Sequence, residues 1–138
     1  MFRTETQHAL RALAALAAGE APLSIAMLAD RTGAPAPTLG KVLHRLSLLG
    51  FVTGRTGRGG GYRLARPAAE LHLMDLVLAF EGPGFARQCL FGMPRCSDKQ
   101  PCPLHSTWAR VREGLLELVE RRSVADLAPH GSLTESAR

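Results

Sequence analysis

The sequence predicts a mainly α-helical fold with one small β-hairpin, and three observations lead to this prediction. Apolar residues recur at helical spacing in separate segments, most of which end at a glycine. A run of glycine and arginine lies between two short strand-like pieces. Aromatic residues make up only 5% of the chain while Ala and Leu are abundant, which favours small packed helices. The 138 residues suffice for one domain with a modest core.

Capping signals place the first two helices. Thr4 and Gln7 form a capping-box pattern, and the apolar residues that follow recur at helical spacing until Gly19. Ser24 is a suitable N-cap for a second, short helix, and Gly33 is a suitable stop after it. We therefore expect two consecutive helices at the start of the chain.

A third helix is predicted from about Thr38 to Leu49, with Gly50 ending it. One face is apolar and consists of Leu39, Val42, Leu43, Leu46 and Leu49. The opposite face carries Thr38, Lys41 and Arg45, which lie at i, i+3 and i+7 and so point to the same side. This helix therefore has one face for the core and one for solvent or a ligand.

Two strand-like pieces, residues 51–53 and 62–64, are separated by GRTGRGGG, eight residues of which five are glycine and two are arginine. This pattern predicts a hairpin with a mobile, basic tip. A fourth helix is predicted over residues 71–81, where LHLMDLVLAFE precedes Gly82.

The last part of the chain changes in composition. Residues 83–103 are rich in Gly, Pro, Cys and charge, which indicates a loop of unusual length for so small a domain. Helical periodicity returns over residues 104–122, with one apolar stripe of Trp108, Val111, Leu115, Leu118 and Val119. A helix this long requires a partner surface, which is either the same helix of a second chain in a two-fold dimer or the core of the chain itself.

Basic residues are concentrated in the first half. Residues 1–66 carry nine Lys or Arg against three Asp or Glu, and residues 67–138 carry eight against nine. The first half is where a polyanion would bind, although a pI near 9.9 is also compatible with solubility alone. The N-terminal segment resembles neither a signal peptide nor a membrane span, and an odd number of cysteines argues against a disulfide framework. We expect a cytoplasmic protein.

Three helices followed by a hairpin form the layout of a winged helix-turn-helix. In this layout the third helix faces the major groove of DNA, and the hairpin, or wing, reaches the backbone or the minor groove. The wing glycines allow close approach to a phosphate, and the wing arginines supply counter-charge. We expect DNA contacts from Thr38, Lys41, Arg45, Arg55, Arg58, Gly60 and Tyr62. A solvated helix face is the plainer alternative, and an RNA-binding role is disfavoured because Tyr62 is the wing's only aromatic.

All three cysteines lie in the long loop, spaced C-x₆-C-x₅-C, and His105 follows the third as C-x₂-H. Cys89, Cys96, Cys102 and His105 could complete four-coordination around zinc or part of an iron-sulfur cluster. Free thiols and a reversible disulfide are the alternatives. No combination of acid, base and nucleophile typical of an enzyme converges in the sequence, so we expect no enzymatic activity.

Four motifs, in order, resemble the IscR/NsrR family of bacterial winged-helix regulators over residues 1 to about 128. They are TLGKVLHRLSLLGFV, GRTGRGGGYRLAR, LHLMDLVLAFEG and CPLHSTW. The resemblance implies a homodimer whose C-terminal helices cross, bound to a palindromic promoter site. The predicted regions are therefore a winged helix-turn-helix (1–66), a connecting helix (67–82), a cluster-binding loop (83–103), a dimerisation helix (104–128) and a flexible tail (129–138).

The same resemblance implies an iron-sulfur cluster on the three cysteines. The fourth ligand varies in the family, and here it is expected to be His105, with Glu5 or His8 of the partner subunit as the alternative. Histidine would favour 2Fe-2S and an oxygen ligand 4Fe-4S, and the first cysteine gap is one residue longer than in the relatives. The expected function is a repressor that senses iron-sulfur status, redox state or nitric oxide. A zinc or thiol-switch regulator and a redox protein that does not bind DNA are the alternatives.

Overall fold

The computed structural model describes residues 2–130 and confirms the mainly helical fold with one antiparallel hairpin. The elements are α1 (Thr4–Ala17), α2 (Ile25–Thr32), α3 (Ala36–Leu48), β1 (Val52–Arg55), β2 (Gly61–Leu64), α4 (Leu73–Glu81) and α5 (His105–Glu120), with short 3-10 helices at Ala68–Glu70 and Val124–His130. Of the predicted flexible tail, residues 131–138 lie outside the described residues. No helix within residues 2–130 is both long and apolar enough to cross a bilayer.

The boundaries of the first three helices follow local chemistry, with two corrections to the predictions. The hydroxyl of Ser24 accepts a hydrogen bond from the backbone N–H of Met27 at 3.2 Å, and Gly33 adopts φ 72°, as a cap and a stop require. The expected capping box of α1 is wrong, because Arg3 is the N-cap and no side chain caps the helix. Helix α3 begins at Ala36, earlier than predicted, since Pro37 is suited to the first turn of a helix.

The core lies where α1, α2 and α3 pack together and receive one face of α4. Its fully buried side chains include Leu13, Leu28, Leu39, Leu43, Leu46, Leu76 and Val77. The apolar face predicted for α3 is therefore the buried face, except that Leu49 is 40% exposed beyond the end of the helix. On the opposite side of α3, Lys41 is exposed, whereas Thr38 and Arg45 are half-buried.

The hairpin is anchored to the segment before α2. Its register pairs Val52 with Leu64 and Thr53 with Arg63. Tyr62 exchanges two backbone hydrogen bonds with Leu23, at 2.9 and 2.8 Å. At Gly61, φ is +121°, and an added Cβ would lie 2.9 Å from the Leu23 carbonyl, so only glycine fits. The base of the wing is thus fixed on the helical body.

Helix α5 is held at both ends and exposed between them. At its end the chain turns back, and Val124 donates to the Leu71 carbonyl at 2.8 Å while Leu73 donates to the Arg122 carbonyl at 3.0 Å. Val119 is the one residue of α5 that is buried. The other residues of α5 are half-buried or exposed, so part of the helix surface is left uncovered within the described part of the chain.

Candidate metal centre and nucleic-acid interface

The loop between α4 and α5 brings the three predicted thiols together. We call Cys89, Cys96 and Cys102 the thiol cluster; their Sγ atoms all lie within 4.8 Å of one another. The Cys89 thiol approaches the Cys102 sulfur at 3.7 Å, well beyond the roughly 2.0 Å of a disulfide bond. Cys102 is only 8% exposed and the other two are half-buried. All three are free.

Local turns hold each cysteine in place. The carbonyl of Cys89 accepts from the N–H of Gly92 at 2.9 Å, and Gly92 adopts φ 68° to close that turn. The carbonyl of Cys102 accepts from the N–H of His105 at 3.0 Å, which starts α5 directly after the third cysteine. The indole N–H of Trp108 donates to the carbonyl of Gln88 at 2.8 Å. The loop is therefore tied to the first turn of α5.

His105 lies beside the thiol cluster, between Cys96 and Asp98. Its Nδ1 is 3.2 Å from the Cys96 sulfur, and its Nε2 is 2.9 Å from a carboxylate oxygen of Asp98. The histidine side chain is 13% exposed whereas that of Asp98 is fully exposed. His105 is not within 4.8 Å of all three sulfurs, so in this arrangement it approaches the edge of the cluster. That His105 is the fourth ligand stays a prediction.

The alternative fourth ligands lie on α1. Glu5 is exposed, and its carboxylate is 3.4 Å from a guanidinium nitrogen of Arg45. His8 is half-buried, and its Nδ1 has no hydrogen-bond partner among the described residues. Burial, followed by the charge of Arg11, lowers the pKa of His8, so its neutral form is favoured. Neither residue belongs to the thiol cluster of its own chain.

The pKa values of Cys89 and Cys96 are shifted in opposite directions by their surroundings. The pKa of Cys89 is lowered to about 7, first by the backbone N–H of Met93 and then, against desolvation, by the N–H of Phe91 and the neighbouring thiols. For Cys96, the backbone N–H of Cys102 favours the thiolate, but desolvation, hydrogen bonds with the Cys102 and Cys89 thiols, and the charge of Cys102 outweigh it and raise the pKa. Cys89 therefore forms the thiolate, the form that binds metals, at a lower pH than Cys96 does.

The donor set fits a thiophilic metal. Three sulfurs within 4.8 Å of one another, with an imidazole next to one of them, match the ligand types of zinc and iron-sulfur sites. Within the described residues, this is the one group of three or more Cys, His, Asp or Glu residues close enough to hold an ion. The predicted metal-binding residues are thus brought to one place, with His105 at its edge.

The predicted DNA contacts of α3 fall into two groups. Lys41 is exposed and Thr38 half-exposed, so both are accessible to a groove. The guanidinium of Arg45 instead donates to Glu5 and to the carbonyl of Ala79, and it stacks 4.3 Å from the ring centre of Phe80. Arg45 therefore joins α3 to α1 and α4, and its role as a DNA contact stays a prediction that these contacts do not favour.

The wing residues divide in the same way. Arg55 and Arg58 are exposed. Gly60 closes the tip, because an added Cβ there would collide with the carbonyl of Arg55. Tyr62 is half-buried against the core and covers Gly54, where an added Cβ would lie 2.9 Å from its ring. The two arginines are free to contact DNA, whereas the glycine and the tyrosine shape the wing.

One basic residue of the wing was not singled out from the sequence. Arg63 pairs with Thr53 across the hairpin, and Arg55 lies on the same face. These residues line a cavity of about 370 Å³ together with Pro22 and three glycines. Because side chains alternate along a strand, the pairing of the two strands would have shown that Arg63 lies on the same face as Arg55. That pairing depends on the length of the turn, which was not known from the sequence.

Known proteins resemble this chain over almost its full length. Residues 2–130 match the family Rrf2, described as an iron-dependent transcriptional regulator. The HTH-type transcriptional regulator IscR of Xenorhabdus nematophila is 29% identical over 123 residues, which cover 83% of this chain and 74% of that protein. CymR, the global cysteine regulator of B. subtilis, superimposes with a TM-score of 0.75 at 22% identity, covering 94% of this chain and 97% of that one. The IscR of T. potens superimposes with a TM-score of 0.71 at 25% identity, covering 100% and 90%. The predicted winged-helix fold and family resemblance are thereby confirmed.

Proposed function

Because the chain belongs to the Rrf2 family of iron-dependent transcriptional regulators, we propose that it is a dimeric cytoplasmic repressor whose promoter affinity is set by an iron-sulfur cluster on Cys89, Cys96 and Cys102. The observation that carries this proposal is the convergence of the three thiols directly before α5. The sensed signal is iron-sulfur status, redox state or nitric oxide.

The DNA-binding surface consists of the exposed side of α3 and the wing. Thr38 and Lys41 are placed to address one wall of the major groove. Arg55, Arg58 and Arg63 extend this positive surface along the hairpin, where they can neutralise phosphates or enter a narrow minor groove.

Dimerisation is assigned to α5, and the structure refines the stripe that the sequence suggested. Val119 packs in the core of its own chain. In contrast, Leu104, Val111 and Leu118 are 44%, 56% and 47% exposed. They recur every seven residues and so form one seam along the helix. A second copy presents the same seam, and pairing about a two-fold axis would cover both.

The cluster is expected to be 2Fe-2S, with His105 completing the set. When bound, such a cluster supplies reversible one-electron chemistry and reactivity toward oxidants or nitric oxide. The chain contributes three thiols, one of which, Cys89, is acidified by backbone N–H groups. Although most of the loop is exposed, Cys89 and Cys96 are half-buried and Cys102 is buried, which limits the access of solvent to the sulfurs.

Coupling between the cluster and DNA binding would pass through the start of α5. Cys102 is separated from α5 by only two residues, and its carbonyl accepts from the first helical N–H. Trp108, one turn later, is hydrogen-bonded to the residue before Cys89. A change in ligation at the thiol cluster would therefore move the helix that sets the spacing of the two DNA-binding surfaces.

The deciding experiment is an anaerobic visible spectrum with iron and sulfide analysis, followed by promoter binding of the apo and loaded protein at matched salt. We expect a coloured protein whose two forms differ in promoter affinity, and equal affinities would contradict the proposal. Lys41→Ala and Arg58→Ala should weaken salt-dependent binding. Arg121→Ala, which removes an exposed arginine paired with Glu117 on α5, is the control.

A thiol switch or zinc site is the second candidate, favoured by the 3.7 Å separation of the Cys89 and Cys102 sulfurs. This distance would allow a disulfide after a small movement. A colourless protein that contains zinc, or whose promoter affinity changes with oxidant alone, would support this candidate. A complete lack of promoter binding at low salt would instead indicate a redox protein that does not bind DNA.

A further inference from the structure

We propose that Asp98 is a positioning residue of the metal centre, which holds the imidazole of His105 so that Nδ1 is the nitrogen presented to the metal. The inference rests on the proposed function, because it takes the thiol cluster to be a metal site. It goes further by assigning the ligating atom and the residue that selects it.

The hydrogen bonds of His105 carry the argument. Its Nε2 lies 2.9 Å from the Asp98 carboxylate, which can only accept, so Nε2 carries the proton. In a neutral imidazole the other nitrogen, Nδ1, then has a free lone pair. This atom is the one that faces Cys96, at 3.2 Å from its sulfur. With Nε2 protonated, Nδ1 can accept a hydrogen bond from the Cys96 thiol, and the same lone pair could bind a metal.

Backbone hydrogen bonds hold Asp98 and His105 in position relative to each other. Ser97 and Gln100 exchange backbone hydrogen bonds at 3.3 and 3.1 Å, which closes a tight turn around Asp98. The N–H of His105 is bound to the carbonyl of Cys102 at 3.0 Å. The carboxylate is thus displayed by a turn between two cysteines toward a histidine on the first turn of α5. A carboxylate on the outer nitrogen is the usual way in which proteins orient a metal-bound histidine.

Cobalt(II) titration of the anaerobic apo full-length protein tests this assignment, because its ligand-field absorption reports the donor set without reference to DNA. Asp98→Ala should lower cobalt affinity on the order of 10- to 100-fold and shift the bands toward those of His105→Ala. Asp98→Glu should restore most of the wild-type affinity and spectrum. The control is Asp75→Ala, which removes an exposed carboxylate of α4 outside the loop and should leave both unchanged.

A double-mutant cycle separates positioning from a merely structural role. If Asp98 acts through His105, Asp98→Ala has no further effect in a His105→Ala background. Equal losses in both backgrounds, or a wild-type spectrum for Asp98→Ala, would overturn the proposal, as would a His105→Ala spectrum identical to that of the wild type. If promoter affinity were the same with and without the cluster, the proposed function would be wrong. A cobalt spectrum that changes in the Asp98 and His105 variants would still support the role assigned to Asp98.

Discussion

Arg45 on α3 and Glu5 on α1 form an ion pair at 3.4 Å across 40 residues of sequence. The same guanidinium lies over Phe80 and donates to the Ala79 carbonyl, so one side chain joins three helices. Glu5 is also a candidate ligand for the partner subunit's cluster. Arg45, a predicted DNA contact, thus also holds α3 against the rest of the domain.

Arg45→Ala should therefore act on stability. We expect the free energy of unfolding to fall by about 1–2 kcal/mol, since a cation–π contact and a half-buried hydrogen bond are lost. Urea denaturation measures this, with Lys41→Ala as the control, which should keep wild-type stability and lose promoter affinity. A variant that is as stable as the wild type but as weak on DNA as Lys41→Ala would show that Arg45 contacts DNA directly.

Arg63→Ala should weaken promoter binding. Loss of one phosphate contact reduces the slope of log K against log salt by about 0.9 and lowers affinity uniformly across operator sequences. Fluorescence anisotropy at several salt concentrations measures the slope. Arg121→Ala should leave the slope unchanged, and an unchanged slope for Arg63→Ala would remove this residue from the interface.

Alkylation of the metal-free protein should distinguish Cys89 from Cys96. The pKa of Cys89 is lowered to about 7, so its reactive thiolate fraction should rise steeply as pH increases through about 7. The pKa of Cys96 is raised, so its labelling should begin only at higher pH. Iodoacetamide labelling followed by peptide mass spectrometry gives the two pH profiles. Superimposable profiles would contradict the expected difference in acidity.

Val111→Glu should disrupt the dimer. It introduces a charge in the middle of the exposed seam of Leu104, Val111 and Leu118, where pairing would bury it without a partner. Sedimentation should give a monomer for this variant and a dimer for the wild type. Glu113→Arg, on the other side of α5, is the matched control and should remain dimeric. A monomeric wild type would refute the assignment of this seam.

Elements with local signals could be predicted from the sequence alone. Ser24 and Gly33 bound α2 through capping chemistry that depends only on neighbouring residues. Helical spacing identified the buried face of α3, and five glycines between two strand-like pieces identified the wing. The presence of all three cysteines within one stretch of the loop, residues 89–102, predicted a thiol cluster that could bind a metal. The family resemblance came from the same motifs.

Tertiary structure decided what those residues contact. Helical spacing predicted that Thr38, Lys41 and Arg45 lie on one side of α3, but it could not predict that Arg45 contacts groups 34 and 40 residues away. Of the apolar stripe predicted for α5, Val119 is buried, Trp108 and Leu115 are half-buried, and Val111 and Leu118 are exposed. Asp98 meets His105 only because a tight turn and the start of α5 place them side by side. These contacts are not encoded by the spacing of residues within one helix or strand. They form only when the helices and the loop pack together, so the sequence pattern did not predict them.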